Sequence, residues 1–351
     1  MSHSNTNQPR PFVSVIIPMR NEAAYIEQCL DSLIEGDYPK DRYEILVING
    51  DSDDGSDALV RRYEERHAQV VLVDNPKRVI PAALNIGIIR AQGEVIFLVI
   101  AHSVLEPDYM SKSVETLEAT GADCVGGTIE TVGHSFMGRA IALAVSHPFG
   151  VGNSRFRFSR KAQYVDTVAF GAYRREVFER IGGFDEELDT NEDYEFNYRL
   201  RESGGKIFLN PEIRPRYYSR NTLFGLMKQY FRYGLKKITV VRKHPKAFQF
   251  RYRIPPIFIL ALLITGILGF FRPTFHYLFA AILVGYLVTV FVASLRLFLR
   301  HRKGYALLLP VIFVVLHFSF GLGLLYSLGL LCLESIRRRQ NSTPIVTGKQ
   351  G

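Results

Sequence analysis

Four short stretches of the chain hold residue types that could do chemistry. The run Val95–Ile100 (VIFLVI) is continuously apolar, as a strand buried in a parallel sheet would be. It delivers Ala101, His102 and Ser103 into a loop. In open α/β sheets the ligand crevice lies outside the carboxyl ends of the strands, so a histidine placed there is a candidate for binding or catalysis. A loop histidine satisfied by backbone groups is the plainer reading. The turn NGDSDDGSD crowds Asp51, Asp53 and Asp54 behind Asn49, where turn formation and helix capping are the ordinary work of aspartate. The stretch NEDYEF sets Glu192 and Asp193 at the start of a helix. The positive end of that helix favours an ionised carboxylate, whether it caps or reacts. In QYFRY, Gln229 and Arg232 stand i,i+3 on one helical face.

The elements that must position these residues alternate. Phe12–Ile17 reads as a strand stopped by Pro18. Asn21 and Glu22 open a helix whose apolar residues Ile26, Leu30, Leu33 and Ile34 keep a helical period. Strands follow at Tyr43–Ile48, Val70–Val73 and Glu94–Ile100, with helices through Leu59–Tyr63 and Pro81–Ala91 between them. Alternation of this kind predicts βαβ units and a mostly parallel sheet. Right-handed crossovers put the loops Pro18–Glu22, Asn49–Ser56 and Ile100–Ser103 on one edge, where they share a crevice. The first turn reads PMRNEA and has no GxGxxG, and no GxxxxGK[ST] occurs. A dehydrogenase and a P-loop enzyme are set aside on that ground.

The chain has 351 residues and a net charge of +9, which calls for an anionic partner. Its three cysteines, Cys29, Cys124 and Cys332, are far apart, so neither a disulfide framework nor a zinc cluster is indicated and a reducing compartment is expected. The N-terminal residues are polar, without the apolar core of a secretory signal. After about residue 250 the character changes. Ile254–Phe271, Thr274–Leu295 and Ala306–Leu333 are apolar runs of the length a bilayer requires. Arg296, Arg300, Arg302 and Lys303 make the second connection strongly basic, and the first carries only Arg272. That bias places residues 1–250 in the cytoplasm. The tail Arg337–Arg339 is basic too, yet three simple crossings would put it outside, so the long third run is expected to be broken or re-entrant. The basic residues gather beside the apolar runs, where anionic lipid accounts for them and nucleic acid is not needed.

The stretches VSVIIPMRNEAAYIEQCLDSL, EILVINGDSDDGSD, PAALNIGIIRAQGEVIFLVIAHS and FGAYRREVFERIGGFDEEL…NEDYEFNYRLR resemble the successive motifs of family 2 inverting glycosyltransferases of the GT-A fold. Within that family the chain is most similar to membrane-attached glucosyltransferases of the succinoglycan type. The resemblance covers about residues 12–245, and the membrane helices usual in that subgroup match the rest. It implies an α/β fold: a GT-A domain, Rossmann-like with a mostly parallel sheet and cytoplasmic, followed by C-terminal transmembrane helices. The expected divisions are a flexible N-terminus at 1–11, the GT-A domain at 12–220, an amphipathic interfacial helix at 221–250, the membrane region at 254–334 and a basic, polar tail at 335–351. The implied location is a bacterial inner membrane.

What the resemblance implies residue by residue concerns three tasks: gripping the nucleotide, neutralising the leaving diphosphate and accepting the acceptor's proton. Pro18, Asn21 and Glu22 match the first motif. Asn49 stands where the family usually has Asp; an amide can still bond a base edge, and it can donate. Asp54 matches the second acidic position. The metal loop, Asp-x-Asp or Asp-Ala-His in relatives, reads Ile100-Ala101-His102. Imidazole binds Mn2+, while oxygen ligands suit Mg2+ and Mn2+ better, so Ile100 puts the metal in question. Three readings stay open: a metal on His102 and the diphosphate, Arg or Lys with helix dipoles instead, or impaired catalysis. Asp193 corresponds to the general base and Glu192 to its acceptor-side neighbour. QYFRY is similar to the QxxRW motif, with Arg232 on the diphosphate and Gln229 and Tyr233 toward the acceptor. The implied activity is transfer of a sugar, glucose first, from a UDP-sugar to a polyprenyl-linked saccharide in exopolysaccharide or cell-surface glycan synthesis. The alternative is an impaired relative that binds nucleotide-sugar or lipid-linked glycan and scaffolds an assembly complex.

Overall fold

The computed structural model describes residues 10–341. The expectations for residues 1–9 and 342–351 lie outside it. Two compact units divide between Ser219 and Arg220.

The first unit runs β1 (Val13–Met19), α1 (Ile26–Ile34), β2 (Tyr43–Asn49), α2 (Ser56–Arg66), β3 (Val70–Asp74), α3 (Ile80–Arg90), β4 (Val95–Leu98), β5 (Ser103–Val104), α4 (Tyr109–Thr120), β6 (Cys124–Gly126) and β7 (Glu130–Val132). It continues with α5 (Phe136–Val145), a short α6 (Pro148–Val151), β8 (Gln163–Tyr164), β9 (Ala172–Arg174), α7 (Arg175–Ile181), α8 (Glu192–Glu202), β10 (Ile207–Leu209) and β11 (Arg216–Tyr218). The main sheet has the order β3-β2-β1-β4-β9-β6-β10-β8. Its first four strands are parallel, and β9 runs antiparallel between β4 and β6. A second sheet, β5-β11-β7, sets β11 antiparallel to β5 and parallel to β7.

The apolar runs are explained by burial on both faces. Val15 and Ile17 of β1 belong to one core and Ile16 to the other, each fully buried. Each such side chain contributes roughly 1.5–3 kcal/mol of transfer free energy. The polar exception, Ser14, is satisfied: its hydroxyl donates to Glu44 at 2.6 Å and accepts from the Gly93 N–H at 2.8 Å.

Two strand limits differ from the sequence reading. β1 does not stop at Pro18 but pairs through Pro18 and Met19 with Ile48 and Asn49. Ile16 faces β4, since its carbonyl accepts from Val99, and Pro18 points to the same side. There the pairing has already ended at Ile16↔Leu98, so the missing N–H of proline costs no ladder bond. β4 ends at Leu98 rather than Ile100, and Ile100 is 39% exposed.

The second unit holds α9 (Leu223–Lys243), α10 (Phe250–Gly269), α11 (Thr274–His301) and α12 (Leu309–Asn341). Three stretches are long and apolar enough to cross a membrane: Phe250–Gly269, Thr274–His301 and Gly304–Glu334, with mean hydropathies of 1.8, 2.5 and 2.3. The third, expected to break or re-enter, is instead a 3-10 turn running into one continuous helix. Pro310 falls in the first turn of α12, where a helix tolerates proline. The amphipathic α9 packs on α12 through glycines. A Cβ on Gly234 would lie 2.1 Å from the Phe320 carbonyl oxygen, and one on Gly323 would lie 2.1 Å from that of Phe231. Small residues let helix backbones approach this closely.

Candidate active site

The loops after β1 and β2 are laced together by side chains. The Asn21 N–H donates to Ser52 Oγ at 3.0 Å, and Asn21 Oδ1 accepts from the Asp53 N–H at 3.0 Å. The Glu22 N–H donates to Ser56 Oγ at 2.8 Å, and the Ala23 N–H to Asp54 Oδ2 at 2.9 Å. Asn49, 8% exposed, accepts through Oδ1 from the Ser52 N–H and hydroxyl at 3.1 and 2.8 Å. Asn21 and Asp51 both adopt positive φ, 57° and 58°, a conformation that short polar side chains tolerate. Asp51 pairs with Arg78 from the loop after β3.

Asp54 therefore works as a brace. Burial pushes its carboxyl up, but bonds from the Ser56 hydroxyl and from the N–H groups of Ala23 and Ser56 hold it below the ordinary carboxylate value.

The loop after β4 meets the loop after β1 at Glu22 and Tyr25. His102 Nδ1 lies 2.9 Å from Glu22 Oε1, with both side chains about four-fifths buried. With the carboxylate as acceptor Nδ1 donates, and in the neutral imidazole Nε2 keeps its lone pair. The Ile100 carbonyl accepts from the Ser103 hydroxyl at 2.6 Å, which turns the chain at Ala101. Aromatic rings surround the imidazole: Tyr217 at 5.3 Å, Tyr25 at 6.1 Å, and beyond them Tyr218 stacked between Tyr25 and His134. The sequence reading missed these rings. Tyr217 and Tyr218 lie on a three-residue strand paired to one of two residues, too short for any period to register.

Asp193 stands exposed in the first turn of α8, its Oδ1 accepting from the Tyr194 N–H at 2.6 Å. Asn191, just before the helix, has φ 69°. Asn197 anchors α8 to the sheet, donating to Thr167 Oγ1 at 2.9 Å and accepting from Tyr173 at 3.0 Å. Tyr173 lies in β9 opposite Ile96 of β4, so the helix bearing Asp193 is tied to the strand that leads to His102. Glu195, buried beside Glu192 and Asp193, is neutralised by Arg199 at 2.7 Å. In the second unit, Gln229 donates to the Tyr233 hydroxyl at 2.9 Å and Arg232 is exposed on α9.

A family model, Glycosyl transferase family 2, matches residues 14–182. The succinoglycan biosynthesis protein ExoA of Rhizobium meliloti (strain 1021) is 31% identical over 315 residues, which cover 88% of this chain and 92% of that protein. The chain belongs to glycosyltransferase family 2. A dolichyl N-acetyl-alpha-D-glucosaminyl phosphate 3-beta-D-2,3-diacetamido-2,3-dideoxy-beta-D-glucuronosyltransferase of Methanococcus voltae is 28% identical, over 87% of this chain and 94% of that one. The mannosyltransferase PcManGT from Pyrobaculum calidifontis, solved with GDP-Man and Mn2+, aligns with a TM-score of 0.59 at 22% identity, covering 91% of this chain and 88% of its own. That likeness is one of fold: a GT-A domain followed by C-terminal helices.

The glycosyltransferase offers a divalent cation a narrow donor set. Among the described residues no group of three His, Cys, Asp or Glu side chains converges, and Ile100 gives no ligand where a carboxylate is usual. The Glu22–His102 couple nevertheless fits one role. Metal-binding imidazoles typically donate their other N–H to a carboxylate, which fixes the tautomer and aims the lone pair. A cation there would have one protein ligand, His102 Nε2, and would draw the others from a diphosphate and water.

Proposed function

We propose that this glycosyltransferase moves a sugar, glucose first among the candidates, from a UDP-sugar to a polyprenyl-linked saccharide during exopolysaccharide or cell-surface glycan synthesis. The observation that carries the reading is the lacing of three loops, after β1, β2 and β4, at the carboxyl edge of the parallel strands, where open α/β sheets bind their ligands. The names of the relatives support a lipid-linked or polysaccharide acceptor. The apolar helices support a membrane-bound enzyme, and the basic connection after α11 supports a cytoplasmic active site, in a bacterial inner membrane.

In this reading the crevice between β1 and β2 takes the nucleoside. Pro18, Asn21 and Ala101 shape it, and the Nδ2 donor of Asn49 meets the base. Glu22 and Asp54 act through others, one aligning His102 and the other bracing the turn. His102 would hold a divalent cation, and such a cation would supply charge neutralisation at the leaving diphosphate. Asp193 takes the proton of the acceptor hydroxyl as its oxygen attacks the anomeric carbon. The bond to the diphosphate oxygen breaks on the opposite face, its electron pair leaves with UDP, and the configuration inverts. Glu192 lies on the acceptor side. The QxxRW-like motif assigns Arg232 to the diphosphate and Gln229 and Tyr233 to the acceptor by resemblance. Radiolabelled UDP-glucose incubated with the full-length protein and a bacterial lipid extract tests the reading, and label in the lipid phase is the expected result. Absence of label from every UDP-sugar tried, with UDP still bound, would favour the non-catalytic scaffold.

A further inference from the structure

Between Glu130 and Asp166 the chain has no acidic residue, yet this segment holds Arg139, Arg155, Arg157, Arg160 and Lys161. Elsewhere in the first unit many structured cations are matched: Lys77 with Glu186, Arg180 with Asp123, Arg199 with Glu195, Arg216 with Glu106 and Glu130. Among the described residues no carboxylate pairs with any of the four cations at 155–161. Arg155 is held by neutral amides instead, donating to Gln163 Oε1 at 2.7 Å and Asn153 Oδ1 at 3.4 Å. Arg157 lies 5.5 Å from the Phe156 ring centroid. The fold therefore leaves their positive charge without a carboxylate counter-ion.

The loop is also built. The Phe156 carbonyl accepts from Ile129 at 2.8 Å, the Ser159 carbonyl from Thr128 Oγ1 at 2.7 Å, and Ser159 Oγ from Gln163 Nε2 at 2.7 Å. Phe156 packs against both apolar cores. On one side the loop leans on the approach to β7, which pairs with β11 beside His102. On the other, the chain continues into Thr167 and Val168, which hold Asn197 of α8, four residues after Asp193. The cations are thus fixed on a segment that links the surroundings of His102 to the helix of Asp193.

We propose that the loop Arg155–Lys161 is the binding site for the diphosphate of the lipid-linked acceptor. This rests on the acceptor class proposed above. Four cations without a carboxylate partner among the described residues, on a loop anchored to both cores by Phe156 and to the approach to β7, suit the loop to receive a compact polyanion through charge-assisted hydrogen bonds.

The test uses the full-length protein in neutral phosphatidylcholine nanodiscs, with farnesyl diphosphate as the probe, farnesol as the uncharged control and UDP as the donor-site control. In Arg157→Gln/Arg160→Gln/Lys161→Gln, affinity for farnesyl diphosphate falls about tenfold or more. Farnesol partitioning and UDP affinity stay unchanged. The single variants Arg160→Gln and Lys161→Gln, both at exposed positions, give smaller losses in the same direction and serve if the triple variant fails to fold. Undiminished binding of farnesyl diphosphate overturns the proposal. So does a defect that appears only when phosphatidylglycerol is added, which would assign the loop to bilayer headgroups. Failure of the wild-type protein to bind UDP counts against the proposed donor, separately from either result.

Discussion

Glu22 and His102, eighty positions apart in the chain, meet at 2.9 Å through Oε1 and Nδ1. The contact joins the loops after β1 and β4, at the point where the parallel strand order departs in two directions from β1. The family resemblance implies a donor-binding place for Glu22, and the contact supports a proposed second role, holding the imidazole. Glu22→Ala is expected to weaken Mn2+ binding in the presence of UDP by about 10–100-fold, read by electron paramagnetic resonance. Glu22→Gln, which keeps an acceptor, retains more of the affinity. Equal Mn2+ affinity in Glu22→Ala and wild type would contradict a positioning role.

Ile100 stands where a carboxylate ligand is usual, and its side chain is exposed. Ile100→Asp adds an oxygen donor beside His102 and is expected to deepen the loss of transfer on adding a chelator. Rates with and without chelator that match those of wild type would show that the loop does not face the diphosphate.

Asp54 holds the β2 turn against the β1 loop. Asp54→Ala removes the acceptor of the Ser56 hydroxyl and of the Ala23 and Ser56 N–H groups, and is expected to lower both thermal stability and UDP affinity at pH 7. The sign with pH follows from the lowered carboxyl value. Stabilisation by Asp54 is complete above the ordinary carboxylate range and is lost as pH falls through the lowered folded value. The gap in melting temperature between wild type and Asp54→Ala should therefore close on strong acidification. A gap of constant size would refute the brace.

Much of the parallel half of the sheet was legible in the sequence, because β1, β2 and β4 are apolar on both faces and their helices keep a clear period. The convergence of the loops after β1, β2 and β4 follows from that topology. Beyond β4 the sequence is silent for a physical reason. β5, β7, β8, β9 and β11 are two or three residues long and pair with strands remote in the chain, so no local pattern announces them. For that reason Tyr217 and Tyr218 went unseen beside His102. Asn49 and Asp54 were readable as residue types, but not as parts of one hydrogen-bonded lattice, which depends on Ser52 and Ser56 lying opposite Asn21 and Glu22. In α12 the sequence weighed helix length against membrane thickness and favoured a break. The backbone runs on because Pro310 sits where no intrahelical N–H is required.

Gly234 and Gly323 allow α9 and α12 to touch. Gly234→Leu forces a side chain against the Phe320 carbonyl and is expected to destabilise the helical unit by about 1–3 kcal/mol, with a lower melting temperature in detergent. Gly285→Leu, at a position with no neighbour to meet, should leave it unaltered. Equal melting temperatures for Gly234→Leu and wild type would mean that the helices part without cost.

The proposed chemistry turns on the Asp193 carboxylate. The direct measurement is transfer from labelled UDP-glucose to a bacterial lipid extract by wild type and Asp193→Asn, with UDP affinity determined for both. Removing a general base typically lowers a rate by about 100-fold or more, so Asp193→Asn should fall to background while binding UDP as wild type does. Transfer by Asp193→Asn at the wild-type rate would contradict the account.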